Sequence, residues 1–145
     1  PESKALAEYV ATLQKGIRET AKGNALDIDA AMKAYASALG CAPVKIELTA
    51  EEKAAAKIYP KSTAKVLESG YGVMRTISPE LMAKYGFNKR GAVINGGEIA
   101  KLTTSGTNSI LDIKKMLDAQ FPVGDSLETI TNYVKMLEEA GLVTF

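Results

Sequence analysis

Between Ser109 and Phe145 the chain runs helix, break, helix, glycine and β-prone tail without interruption, an order that few folds accept. Ser109 is a residue type that caps helix starts, and Ile110, Ile113, Leu117 and Phe121 follow it at the spacing of one helical face. Pro122-Val123-Gly124 breaks the pattern. Asp125, with Glu128 three residues later, opens a second helix whose apolar side is Leu127, Ile130, Val134 and Leu137. Gly141 ends it, and Leu142-Val143-Thr144-Phe145 reads as a strand-like tail.

Helix, short turn, longer helix, glycine and strand is the order of winged helix-turn-helix domains. The expectation is therefore a winged-helix-like module over residues 98–145. The sequence ends where a second wing strand would begin, so the wing is expected to be truncated or completed by an upstream strand such as Ala92–Ile94. The fold class predicted for the whole chain is α+β and mainly helical. It comprises an N-terminal helical hairpin within a helical portion (residues 1–60), a small β and turn-rich connecting portion (61–97) and the C-terminal lobe (98–145).

The hairpin rests on two amphipathic runs. Leu6, Tyr9, Val10, Leu13 and Ile17 share one helical face, and Gly23-Asn24 supplies a stop. Asp27 would cap a second helix bearing Ile28, Met32, Tyr35 and Leu39, with Gly40 at its C-terminus. Pro43–Leu48 alternates apolar and charged residues as a half-buried strand does. Thr49-Ala50-Glu51-Glu52 has the form of a capping box, for a helix that Pro60 stops. Thr63–Leu67 and Tyr71–Ile77 are expected to pair as a β-hairpin across Glu68-Ser69-Gly70. Ser78-Pro79-Glu80 starts a helix that runs to Gly86, with exposed turns at Asn88–Gly91 and Asn95–Gly97.

Charge is unevenly placed. Residues 1–52 carry six basic and eight acidic side chains, a balance of −2; residues 53–101 carry nine and three, +6; residues 102–145 carry three and six, −3. Lys84, Lys89, Arg90 and Lys101 in the basic middle are thus candidate anion- or partner-binding residues. The second helix of the C-terminal lobe is the one that would enter a DNA groove, yet it holds Asp125, Glu128, Glu138 and Glu139 against Lys135. Thr129, Asn132 and Lys135 could face outward as partner contacts, to bases were the partner DNA, but phosphates repel that acidic helix and nucleic acid is disfavoured there.

The chain holds no histidine, which removes Ser-His-Asp and Cys-His nucleophile systems and every His-ligated metal site. Adjacent carboxylates at Glu51/Glu52 and Glu138/Glu139 point apart on a helix and read as solvated surface. Cys41, the single cysteine, follows a helix C-terminus that disfavours a thiolate and reads as a packing residue. No glycine run has the spacing of a phosphate-cradling loop. The sequence accordingly names no catalytic, cofactor-binding or metal-ligating residue, and implies no cofactor. It contains no apolar run near the ~20 residues of a membrane span. A single cysteine and a polar start fit a cytoplasmic chain, and the absence of an initiating Met fits a processed or excised one.

The stretch SILDIKKMLDAQF, acidic break, LETITNYVKMLEEAGLV resembles winged-helix modules appended to bacterial zinc aminopeptidase-like proteins, and more loosely the small peptide-binding chaperone domains of radical-enzyme systems. The resemblance covers roughly the last 40 residues, Thr104–Phe145. It implies an accessory region without the metal site, which in such proteins lies in a separate peptidase domain. The functional expectation is a noncatalytic protein- or peptide-interaction module, with self-association a further use of its surfaces. A groove between the basic middle and the apolar tail would be the contact surface. The alternative expectation is a nucleic-acid-binding or transcriptional regulatory protein that uses the basic middle.

Overall fold

The computed structural model describes residues 2–42 and 46–145, in two compact units, Pro1–Glu47 and Leu48–Phe145. It is mainly helical, with one small two-stranded sheet. The boundary at 47/48 differs from the limits expected at 60 and 97: helix α2 (Ala50–Ala55) and the segment 61–97 belong to one unit with the C-terminal lobe.

In the first unit the expected helical hairpin is replaced by one continuous helix, α1 (Glu2–Ala38). Gly23 does not take the left-handed conformation that would turn the chain, and Asp27 lies mid-helix where it caps nothing. Each glycine costs a helix about 1 kcal/mol relative to Ala, too little to break a run so rich in Ala and other helix formers. Gly40, at φ 67°, ends the helix as expected: its N–H bonds to Ser37 O and that of Cys41 to Ala36 O. Cys41 is exposed, not packed, because it lies beyond this cap. Part of the strand expected over Pro43–Leu48 lies outside the described residues; Ile46 to Leu48 have no regular structure, and Ile46 is 89% exposed.

The second unit is built around two helices, α6 (Ile110–Gln120) and α7 (Leu127–Glu139). Ile110, Ile113 and Leu117 on α6 and Ile130, Val134 and Leu137 on α7 are all solvent-free. Burying each such side chain contributes about 1.5–3 kcal/mol. The short helix α5 (Gly96–Leu102) adds Ile99 and Ala100 to the same core. Phe87 and Tyr133 meet edge to face at 5.5 Å.

The β-hairpin expected across residues 63–77 does not form. Ala64–Ser69 is a helix, α3, which turns Val66 into the core, and Tyr71–Thr76 is a 3-10 helix. Gly70 separates them at φ 71°, a conformation that suits glycine. The sheet instead pairs β1 (Lys61–Ser62) with β2 (Val143–Thr144), antiparallel, Lys61 opposite Thr144. The tail is thus completed by an upstream strand, as expected, but by Lys61–Ser62 and not by Ala92–Ile94. Leu142 and Val143 are 1% exposed, so most of the apolar tail is core and cannot line a groove.

Local signals hold where they are self-contained. Thr49 and Glu52 form the reciprocal capping box of α2, and Ser78 caps α4 (Pro79–Lys84) through the Leu81 N–H. Ser109 and Asp112 make a second box at α6, whose hydrogen bonds hold the Asp112 carboxyl below the ordinary aspartate range. Gly86 and Gly141 end α4 and α7, each followed by a residue whose N–H reaches back into the helix, Phe87 to Met82 O and Leu142 to Leu137 O. At α7 the cap is Ser126, not the expected Asp125.

Candidate functional site

Helix α7 has two faces. Ile130, Tyr133, Val134 and Leu137 point into the core, while Leu127, Glu128, Thr131, Asn132 and Lys135 line an open groove of about 450 Å³. The opposite wall is α2 and the residues after it: Glu51, Ala54, Ala55 and Ile58. Buried Ala55 seats α2, and the Ile110 N–H donates to the Ile58 carbonyl at 2.9 Å, tying this wall to the start of α6. Part of the lining is small or apolar: Ala54, Ala55, Ile58 and Leu127. Glu51, Glu128, Asn132 and Lys135 make the lining polar and give it both signs of charge.

Two of the polar groups are fixed locally. The Thr131 hydroxyl donates to the Leu127 carbonyl at 2.7 Å, within its own helix. Backbone hydrogen bonding at the helix start and the Thr49 hydroxyl hold the Glu51 carboxyl below the ordinary glutamate range, so it is ionised at neutral pH. A groove of this kind, mostly apolar with a few fixed polar groups, suits binding by burial and orientation.

Of the residues singled out in the sequence, Asn132 and Lys135 line the groove. Thr129 does not: its N–H and hydroxyl bond to Ser126 at the helix cap. The four basic candidates have separate surroundings. Lys84 donates to both carboxylate oxygens of Glu139 at 2.7 Å, and Lys101 bonds Glu98 at 2.6 Å. Lys89 and Arg90 are exposed in the turn after α4. Glu51, Ala54, Ile58, Leu127, Glu128 and Thr131 had no sequence signal as site residues, because only the packing of α2 beside α7 brings them together.

Lys84, Tyr85 and Glu139 form a second polar cluster, with the Tyr85 hydroxyl donating to Glu139 Oε2 at 2.8 Å. The Lys84 bond raises the lysine and lowers the glutamate; the Tyr85 phenol is raised by its bond to Glu139. A lowered carboxyl favours folding above the ordinary glutamate range and loses that contribution as pH falls through its own value. The raised lysine and phenol contribute below their ordinary values and lose that contribution as pH rises through the raised ones. In a carboxyl-detected NMR titration Glu139 should therefore show a midpoint below ordinary glutamates, moving up in Lys84→Met; an unmoved midpoint contradicts the pairing.

Asp125, 5% exposed, accepts the backbone N–H groups of Ile94 and Asn95, both at 2.8 Å. It is a structural clamp, which explains why the helix cap falls to its neighbour. Among the described residues no group of three His, Cys, Asp or Glu side chains is placed to hold a metal ion, and no helix is long and apolar enough to cross a membrane. No family model matches the chain, and neither a curated protein nor a solved structure does.

Proposed function

We propose that the unit Leu48–Phe145 is a noncatalytic peptide-binding module of winged-helix-like build, and that its ligand lies in the groove between α2 and α7. The observation that carries this reading is the outward face of α7. Five residues of one helix side, with Ala54, Ala55 and Ile58 opposite, make a groove lined by small and apolar side chains together with Glu51, Glu128 and Lys135. Such a surface suits an amphipathic segment that buries its apolar side chains on the apolar part of the lining and sets charges of both signs against Glu51, Glu128 and Lys135. The helix order α6, turn, α7 and strand β2 supports the winged-helix-like description.

The charge distribution argues against the nucleic-acid alternative. Lys84 and Lys101 are already neutralised by Glu139 and Glu98, and the face that would enter a groove of DNA presents Glu128 beside Lys135.

The test is selection of binding peptides from a random library on the whole chain, followed by Ala54→Trp and Thr131→Trp, which fill the groove from either wall. Both should abolish binding of the selected peptides while leaving the thermal midpoint nearly unchanged. Peptides that still bind both filled variants, or compete with heparin in a strongly salt-dependent way, overturn the reading.

A further inference from the structure

Helix α1 carries an apolar seam with a period of its own. Leu6, Val10, Leu13, Ile17, Ala21, Asn24, Ile28, Met32, Tyr35 and Leu39, all apolar but Asn24 and the last one residue past the helix end, follow one another at spacings of four, three and four residues, three times over. That is an eleven-residue repeat, about 3.67 residues per turn, which keeps a stripe on one side of a helix without left-handed supercoiling. The stripe runs roughly 50 Å at 1.5 Å per residue. Its members are solvent-facing: Leu6 is 63% exposed, Ile17 69%, Ile28 62% and Tyr35 70%. Leu26 is the one large apolar residue of the helix that faces away from this side. A seam of this length matches what a helix needs to pair stably with another helix.

We propose that α1 pairs with α1 of a second copy of this chain, antiparallel, about a two-fold axis crossing between Lys22 and Gly23. The seam is symmetric about that point: Leu6 meets the partner's Leu39, Val10 its Tyr35, Leu13 its Met32, Ile17 its Ile28 and Ala21 its Asn24. Charge selects the orientation. On an eleven-residue repeat Arg18 and Asp29 stand on the same flank, each about 98° from the seam, and Asp27 stands on the other flank. In an antiparallel pair like flanks face each other, so Arg18 meets the partner's Asp29 and Asp29 its Arg18. In a parallel pair opposite flanks face, and Asp29 would meet the partner's Asp27, a like-charge contact.

Beside Gly16, between Leu13 and Asn24, the missing side chain leaves a shallow depression in the helix surface. The antiparallel register brings the partner's Ile28 to this depression. On that flank Gly16, Thr20, Ala31 and Ala38 are small, Tyr9 and Asp27 are the larger residues, and the antiparallel register sets Asp27 beside the partner's Gly16 and Thr20.

The experiment uses the whole chain. Sedimentation velocity should show a dimer, and Ile17→Asp combined with Ile28→Asp should render it monomeric. Arg18→Asp should weaken association about tenfold, equivalent to about 1.4 kcal/mol, and adding Asp29→Arg to it should restore association. In a Cys41→Ser background, mixing Leu6→Cys chains with Leu39→Cys chains should give oxidised dimers containing one of each. A chain that stays monomeric at all concentrations overturns the proposal, as does a dimer that survives the double aspartate. So do Leu6→Cys chains that link to themselves, which would mean a parallel pair, or a Leu6→Cys/Leu39→Cys chain that closes within one molecule.

Discussion

Replacing Asp125 with Ala should destabilise the Leu48–Phe145 unit by about 3 kcal/mol, since each buried hydrogen bond to a charged group is worth about 1.5–3 kcal/mol. Two such bonds are lost together, those from Ile94 N–H and Asn95 N–H. The Asn95 N–H is buried, so water does not replace the acceptor freely. The change also releases the turn that precedes α5, the helix that brings Ile99 and Ala100 into the core. Asp125→Asn keeps one carbonyl acceptor of similar shape and should lose about half as much. Urea denaturation followed by the circular dichroism of the whole chain measures both. Equal effects of Ala and Asn would show that charge and not acceptor geometry holds the turn, and a negligible effect of Ala would refute the clamp.

Gly106→Ala should cost about as much, by a different mechanism. Gly106 sits at φ 69°, where a side chain costs about 1–2 kcal/mol. A Cβ there would also stand 2.9 Å from the Cβ of Lys61, an atom fixed to the β1 backbone that cannot swing aside. Overpacking of that kind adds about 1–3 kcal/mol. Gly141→Ala is the control: it too lies at positive φ (70°), but no atom stands within 4 Å of its would-be Cβ, so it should lose the conformational part alone. If the two substitutions cost the same in thermal or urea melts, the contact with Lys61 contributes nothing.

What could be seen in the sequence follows from how far each signal reaches along the chain. Thr49 with Glu52, Ser78 with the Leu81 N–H, and Ser109 with Asp112 complete their hydrogen bonds within three residues, and these helix starts are readable. Gly86 and Gly141 end helices by equally local bonds. Gly23-Asn24 looked like a stop because the same dipeptide turns chains elsewhere, yet a helix tolerates Gly23 at modest cost when its neighbours favour helix. Asp125 and Ser126 are adjacent and both able to cap. The choice between them is made by amides about thirty residues away in the chain, which no local pattern reveals. The two strands are two residues each, too short to show alternation, and Ser62 finds its place through Thr103, to which it bonds by backbone and side chain.

The groove was the least readable feature. The outward face of α7 follows from the buried one and points to Thr129, Asn132 and Lys135, of which Thr129 belongs to the helix cap and only the other two reach the groove. Nothing in the segment around Glu51 says that it will lie opposite. That wall depends on Ala55 being buried and on the Ile110–Ile58 hydrogen bond, both products of the assembled core.

Because the two walls come from opposite ends of the unit's sequence, the groove exists only while the whole unit is assembled. An occupant would therefore be read as added resistance to unfolding. By mass action, a ligand present at a hundred times its dissociation constant raises the unfolding free energy by about 2.7 kcal/mol. The site and the fold share one equilibrium, and whatever fills the cleft between Ala54 and Thr131 acts as a fastener joining the first helix of the unit to its last.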